Sequence, residues 1–221
     1  MVSKFATGYS TDAEGRPFER RSYRPAIVIV TVLAVIAAGA WIYALVGDSE
    51  ESFPTDCAMP SAGSGADLQN FKKADRDAVL AASPAALSSF RVQVLNSAAP
   101  RGEARTVSDD LTAQGFAPAE PAYGDDTVYP NRDLDCVGQV RFGKAGQNAA
   151  AAVWLAAPCA QLIDDGRTGS DVDLVLGEYF TDAKQTQDVQ AALEALRSVD
   201  PKNPKSAVDR SLIETVHKQS C

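Results

Sequence analysis

The chain has 221 residues, of which 21 are basic and 29 acidic, giving a formal net charge of −8 at neutral pH. The charge is unevenly distributed, because residues 1–46 hold five basic and three acidic side chains and the rest of the chain holds 16 basic and 26 acidic ones. With such an excess of acidic residues, the chain after residue 46 is a poor candidate for a basic face that binds nucleic acid or anionic lipid headgroups. We therefore expect no nucleic-acid partner.

Residues 26–46 form an uncharged run of 21 residues, AIVIVTVLAVIAAGAWIYALV. A hydrocarbon core about 30 Å thick needs roughly 20 apolar helical residues, so this run predicts one transmembrane helix. Five basic residues precede the run and acidic residues, beginning with Asp48, follow it. The positive-inside rule then predicts that residues 1–25 are a short cytoplasmic segment and that the C-terminal part is extracytoplasmic, in a single-pass protein of the cell membrane.

A cleaved secretory signal peptide is the alternative interpretation of this run. Its apolar region is shorter, about 7 to 15 residues, and ends at small residues that favour cleavage. Here Ala44-Leu45-Val46 is a poor cleavage motif, while Trp41 and Tyr43 have the character of an interfacial aromatic anchor. We therefore expect the helix to be retained as an anchor.

All four cysteines follow the apolar run, at Cys57, Cys136, Cys159 and Cys221. An even number of cysteines outside the cytoplasm is typical of disulfides. There is no C-x-x-C pair, and His217 is the only histidine, so we expect neither a metal nor another cofactor.

Residues 47–88 begin with a stretch rich in Ser, Gly, Pro and acidic residues, which buries little apolar surface. We assign them to a juxtamembrane linker. A short helix is compatible with its second half, with Asp67 as the N-cap, Leu68 to Val79 marking an apolar side, and Ser83-Pro84 at its end.

Residues 89–181 combine strand and helix patterns. Apolar and polar side chains alternate over residues 90–94, a helix with an apolar face follows Pro100-Arg101-Gly102 and stops at Gly115, and residues 116–119 are again extended. A polar connection runs from Tyr123 to Asp135. These patterns predict strand, helix and strand at the start of the domain.

The second half of this segment repeats the alternation. Val140 and Phe142 mark a strand, Gln147 to Ala157 an alanine-rich helix anchored by Trp154, residues 161–163 a short strand and residues 172–176 a clearer one. The fold class that we predict is α+β: a small α/β sandwich with its helices packed on one sheet.

Residues 182–221 show helical spacing, interrupted by Pro201 and Pro204. We expect a helical tail that packs on the domain, because a disulfide at Cys221 would fix its last residue.

Spacing leaves three disulfide connectivities open. Cys136 precedes a strand and Cys159 follows the next helix, so both could lie at one end of the layer, within the roughly 7 Å between Cα atoms that bonding requires. We prefer Cys136 with Cys159 and Cys57 with Cys221. The rival pairing joins Cys57 to Cys136 and Cys159 to Cys221, if the last helix packs beside Cys159.

Three stretches together resemble the C-terminal domain of LytR-type envelope proteins: VQVLN with the following GEA at residues 92–96 and 102–104, the strand at 138–143 leading into the alanine-rich helix, and VDLVLGEYF at residues 172–180. The resemblance implies an anchored envelope protein that supports cell envelope integrity. It does not carry over the phosphotransferase activity of full-length LytR-type proteins, because residues 47–89 are too few for that domain.

The turn after the second strong strand is a candidate for ligand binding. Backbone amides at a helix N-terminus can bind anions, so Arg141, Lys144, Gly146 and Gln147 are tentative contacts for an anionic envelope polymer. A tight turn with no ligand explains the same residues, since neither G-x-G-x-x-G nor a P-loop is present.

We assign no catalytic residue. His217 lacks an accompanying G-x-S-x-G motif, and the pairs Asp109-Asp110, Asp125-Asp126 and Asp164-Asp165 are typical of solvated turns and helix faces. The expected function is a non-enzymatic binding or adaptor factor for cell wall polymer or for a membrane-associated wall-synthesis protein. An enzyme acting on envelope polymer and a membrane-anchored regulator are the alternatives.

Overall fold

The structure is a computed structural model that describes Glu14 and residues 23–46, 52–60, 70–181, 186–200, 208–218 and 221. The chain divides into two units, Met1–Ser49 and Glu50–Cys221. Helix α1 (Arg24–Val46) belongs to the first unit and covers the predicted apolar run. Its segment Arg24–Ile42 has a mean hydropathy of 2.4 and no buried residue, so its length and composition suit a membrane span.

The described strands and α-helices of the second unit, in chain order, are β1 (Lys72–Lys73), α2 (Arg76–Ala81), β2 (Arg91–Asn96), α3 (Glu103–Gln114), β3 (Ala117–Asp125), β4 (Gly138–Phe142), α4 (Gln147–Ala156), β5 (Gln161–Asp164), β6 (Val172–Leu176), α5 (Gln187–Arg197) and α6 (Arg210–Val216). The strands form a six-stranded mixed sheet in the order β1-β5-β4-β6-β2-β3. Strand β2 is parallel to both β3 and β6, β4 is parallel to β5, and the pairs β4–β6 and β1–β5 are antiparallel. The α+β class is therefore confirmed.

The helices cover one face of the sheet. Apolar side chains at every second position of the central strands meet α3, α4, α5 and α6 in a single hydrophobic core. In α4 all residues from Ala149 to Leu155 are buried, and the Trp154 indole donates a hydrogen bond to the carbonyl of Ala160 at 3.0 Å. The C-terminal helices thus contribute to the core, through Val189, Ala192, Leu193, Leu196, Ile213 and Val216.

In the described part of the chain, the second face of the sheet is covered by segments that form no helix. The connection of residues 126–137 and the segment 52–60 supply a small apolar cluster on this face, composed of Cys57, Tyr129, Leu134, Cys136 and Val175. Because both faces are covered, every residue of β4 is buried, including Gln139 and Arg141.

Residues 52–60 and 70–88 lie in the stretch that the sequence analysis assigned to a linker, yet they pack against the domain. The amide of Val137 donates to the carbonyl of Pro54 at 2.9 Å, and the amide of Phe53 donates to the carbonyl of Cys221 at 2.7 Å. Val79 and Leu87 are buried in the main core. The predicted division of the chain into residues 1–25, 26–46, 47–88, 89–181 and 182–221 remains a prediction.

The short helix begins later than predicted. Asp75 caps α2, since its carboxylate accepts hydrogen bonds from the amides of Asp77 and Ala78. Lys72 and Lys73, expected inside the helix, instead pair with β5 as a short edge strand. The expected cap Asp67 and Leu68 lie outside the described residues.

The preferred disulfide pairing is wrong. The structure joins Cys57 to Cys136 and Cys159 to Cys221, with Cα separations of 5.0 and 5.6 Å. Cys136 belongs to the cluster on the helix-free face, whereas Cys159 follows α4, which packs in the core on the other face. The last helix, α6, is followed by His217, whose ring stacks on Trp154 of α4, and the chain after it brings Cys221 to Cys159, as in the rival pairing.

Candidate functional site

The four residues predicted to contact a ligand at the turn do not form one site. Arg141 is 2% exposed and lies under the covering connection. Gly146 is buried, and Gln147 donates its side-chain amide to the carbonyl of Ala78 at 2.8 Å. Lys144 is exposed and lines a separate cleft with Lys72 and Arg167. The prediction that Arg141 contacts a ligand is therefore wrong, because side-chain alternation along β4 directs it to the covered face.

Arg141 is the centre of a buried polar network. Its guanidinium donates two hydrogen bonds to the Asp126 carboxylate, at 2.7 and 2.9 Å, and a third to the side-chain oxygen of Gln139 at 3.0 Å. The Gln139 amide donates to the Tyr129 hydroxyl at 3.2 Å, and the guanidinium lies 5.5 Å from the Tyr129 ring centroid. Burial raises the pKa of Tyr129, so its phenol stays protonated and donates to the carbonyl of Ala58 at 2.6 Å.

This network fixes the start of the covering connection. Asp126 follows β3 directly, and its amide donates to the carbonyl of Asn96, the last residue of β2, at 2.9 Å. The backbone bond to Asn96 therefore holds the end of β3 against the end of β2, and the ion pair with Arg141 holds it against β4. The loops that leave these strand ends are positioned by the same contacts.

A cleft of about 710 Å³ lies at these strand ends, and we call it the strand-end cleft. It opens where β2 and β3 finish side by side and α3 begins. In open sheets with parallel strands, the carboxyl ends of strands are where ligand crevices form. The lining residues that matter for its chemistry are Asn96, Arg101, Arg105, Tyr123, Asp125 and Arg132.

The three arginines of the cleft differ in how far they are already engaged. Arg132, in the left-handed conformation with φ of 58°, donates to the carbonyl of Ala99 at 2.6 Å and to the side-chain oxygen of Asn96 at 3.3 Å. The Arg105 side chain is exposed and lies 3.8 Å from the Asp109 carboxylate. Arg101 is exposed and forms no ion pair among the described residues. Unlike Arg132, Arg101 and Arg105 are thus the cleft arginines whose guanidinium groups are not held by hydrogen bonds to the loops in the described part of the chain.

The start of α3 also faces the cleft. Its N-cap, Gly102, has φ of 92° and makes no side-chain capping bond. A Cβ atom there would meet nothing within 4 Å, so the backbone conformation, rather than crowding, favours glycine. Backbone carbonyls already accept hydrogen bonds from most of the first amides of α3, since Glu103 donates to Pro100 at 3.2 Å and Arg105 and Thr106 donate to Gly102 at 3.1 and 3.2 Å.

His217 does not line the strand-end cleft and has a packing role. Its ring stacks on Trp154 with 3.8 Å between centroids, and the Arg76 guanidinium lies 4.6 Å from the Trp154 ring. Burial, helped by the nearby charge of Arg76, lowers the pKa of His217 to about 4. Its Nδ1 atom is buried and has no hydrogen-bond partner in the part of the chain that the structure describes.

The acidic pairs do not converge on a metal. Asp165 is bound by Arg167, which also pairs with Asp173, and Asp126 is bound by Arg141. Among the described residues, no group of three or more His, Cys, Asp or Glu side chains is placed to hold a metal ion.

Sequence reasoning missed the strand-end cleft, although part of its signal was present. Asn96 ends one strand pattern, Pro100-Arg101-Gly102 precedes a helix, and Gly124-Asp125 falls in a turn-rich stretch. These signals mark loops but do not show that β2 and β3 are parallel neighbours. Only that pairing brings Arg132, from a third loop, to Asn96.

Comparison with known proteins gives three matches. Residues 89–180 match the sequence profile of the LytR C-terminal family, described as LytR cell envelope-related transcriptional attenuator. The whole chain is 37% identical to the cell envelope integrity protein Cei of Mycobacterium tuberculosis, over 100% of both chains. A crystal structure of the soluble domain of a conserved hypothetical secreted protein from Mycobacterium marinum superimposes with a TM-score of 0.60 and 39% identity, covering 69% of this chain and 99% of that one.

Proposed function

Because the chain belongs to the Cei-like proteins that carry a LytR C-terminal domain, we propose that it supports cell envelope integrity as a single-pass membrane protein. The observation that carries this proposal is the full-length similarity to Cei, which includes the N-terminal apolar helix as well as the folded domain. The exposed apolar surface of α1 supports its use as a membrane anchor. The basic residues before α1 and the acidic residues after it support a cytoplasmic N-terminus and an extracytoplasmic domain.

The domain acts, in this proposal, as a non-enzymatic binding or adaptor factor for wall polymer or for a wall-synthesis protein. Two features support binding over catalysis. The strand-end cleft presents guanidinium groups, which bind anions but are poor proton-transfer groups because they stay charged. The single histidine is half-buried against Trp154, is neutral near pH 7 and does not line that cleft.

Gene deletion followed by complementation tests the proposed function. Cells that lack the gene should become more sensitive to detergents and to antibiotics that act on the wall, and the full-length chain should restore resistance. A version in which residues 1–46 are replaced by a cleavable secretory signal should restore less, because it is not held at the membrane.

Two results would count against the proposal. Unchanged sensitivity after deletion would contradict the role in envelope integrity. Full rescue by the unanchored version would leave that role intact and contradict the need for the anchor.

A further inference from the structure

We propose that the strand-end cleft binds a phosphate or carboxylate group carried on a glycan, with Arg101 and Arg105 as the anion-binding residues. This inference rests on the proposed function for its setting, the cell envelope. It names the site and the ligand class, neither of which follows from family membership.

The first support is the charge that the cleft presents to a ligand. Its lining includes three arginines and two aspartates. The Asp126 carboxylate is 1% exposed and is neutralised by Arg141, so it adds little negative potential. Asp125, which is 90% exposed, lies 3.9 Å from Arg132. Arg101 and Arg105 therefore remain as cations at the cleft, in a part of the chain that is otherwise strongly acidic.

The second support is that the three arginines differ in the contacts they already make with the protein. Arg132 is committed to the protein, because Ala99 and Asn96 accept its hydrogen bonds and hold the two loops together. It is a positioning residue. Arg101 has no ion pair in the described residues, and the 3.8 Å contact of Arg105 with Asp109 is exposed and weak. Their planar guanidinium groups can each bind a carboxylate or phosphate through two hydrogen bonds.

The ligand class follows from the size of the cleft and from Tyr123. Nucleic acid needs basic residues along a long surface, and this domain instead carries a large acid excess. A cleft of about 710 Å³ suits one or two sugar units. The Tyr123 ring, 44% exposed on the cleft wall, offers a flat apolar surface beside the cations, and such a surface suits the apolar face of a sugar ring.

Binding measurements on the full-length protein test the proposal. The protein is held in nanodiscs of zwitterionic lipid, and the probes are polygalacturonate, phosphorylated dextran and neutral dextran. We expect binding to one or both charged polymers, which identifies the anion, and none to neutral dextran. R101A/R105A should weaken that binding by about tenfold or more, because two charge-assisted contacts are lost. Y123A should weaken polymer binding but leave binding of inorganic phosphate unchanged.

The matched control removes two positive charges elsewhere. Arg91 is exposed at the opposite end of β2, and Lys218 is exposed just after α6, so R91A/K218A changes the net charge by the same amount. This variant should bind like the unchanged protein. The single variant R101A repeats the test without disturbing the Arg105–Asp109 contact, and thermal unfolding confirms that each variant is folded.

Three results would overturn the proposal. They are unchanged binding by folded R101A/R105A and R101A, an equal loss in R91A/K218A, and preferential binding to anionic lipid vesicles or to nucleic acid. These outcomes are distinct from failure of the proposed function, because complementation of the deletion measures envelope integrity whether or not the cleft binds these probes.

Discussion

Arg141 and Asp126 form an ion pair whose side chains are at most 3% exposed. Replacing Arg141 with Met should lower the free energy of unfolding by about 3 to 5 kcal/mol, because the Asp126 charge would remain buried without its partner. The same change should loosen the end of β3, where Asp126 begins the covering connection. Urea unfolding with the disulfides intact measures the loss.

An exposed arginine pair provides the control for this prediction. R105A removes the surface pair with Asp109 and should change the free energy of unfolding by no more than about 1 kcal/mol. The double variant R141M/D126L should regain most of the stability lost in R141M, because no charge is left buried. A loss in R141M as small as that in R105A would contradict the structural role of the pair.

For Arg141, the sequence predicted the side of β4 on which it lies but not that this side is covered. Alternation along β4 correctly separated Val140 and Phe142, which face the helices, from Gln139 and Arg141. When apolar and polar residues alternate along a strand, the polar side chains usually face water. Here residues 126–137, a polar connection, cover that face. Their sequence has no periodic pattern that would indicate packing on the sheet.

Helix α6 is followed by its C-cap His217, whose imidazole stacks on Trp154 of α4. The folded-state pKa of His217, about 4, lies below its ordinary value of 6.5. Between these values the unfolded chain binds a proton that the folded chain does not, so stability falls as the pH falls from about 6.5 to about 4. Above this window, His217 is neutral in both states and its contribution does not change.

Unfolding free energies measured from neutral pH down to about pH 4 test this window. H217F keeps an aromatic ring on Trp154 but cannot be protonated, so its stability should fall less steeply with acid than that of the unchanged protein. The carboxylates are common to both proteins, and their titration cancels in the comparison. Parallel curves for the two proteins would show that His217 does not titrate with the shifted pKa.

Each disulfide joins one end of the second unit to one face of the sheet: Cys57 to Cys136 on the face without helices, and Cys221 to Cys159 on the helical face. Digestion without reduction should release one linked peptide pair containing Cys57 and Cys136 and another containing Cys159 and Cys221. Recovery of Cys57 linked to Cys221 would contradict the structure and restore the preferred sequence-based pairing.

Cysteine spacing in the sequence could not distinguish these pairings, because the pairing depends on which side of the sheet each cysteine lies. Cys136 and Cys159 flank the same strand and helix, but they lie on different sides of the sheet. The docking of α6 on Trp154, which brings Cys221 to Cys159, depends on a contact between residues 63 positions apart.

At the scale of the whole molecule, strongly periodic segments were predicted well. The apolar run became α1, and the alternation around Val92, Val140 and Leu174 became three central strands with helices on one face. Strand β3 extends to Asp125, beyond its predicted end, because an edge strand with half-exposed residues has no strong apolar alternation. The strand-end cleft was missed because it is made by loops whose meeting depends on the order of strands in the sheet.

The orientation in the membrane has a test that uses the distribution of lysines. Lys4 is the only lysine before the apolar run, whereas Lys72 and Lys144 are exposed in the folded domain. A membrane-impermeant amine reagent applied to protoplasts should modify peptides containing Lys72 and Lys144, and should modify Lys4 only after permeabilisation, because positive flanks keep the N-terminus inside. Detection of the Lys4 peptide in the membrane-bound protein, together with its intact mass, distinguishes a retained anchor from a cleaved signal. Labelling of Lys4 in sealed protoplasts would reverse the proposed topology and place both disulfides in the reducing cytoplasm, where such bonds seldom persist.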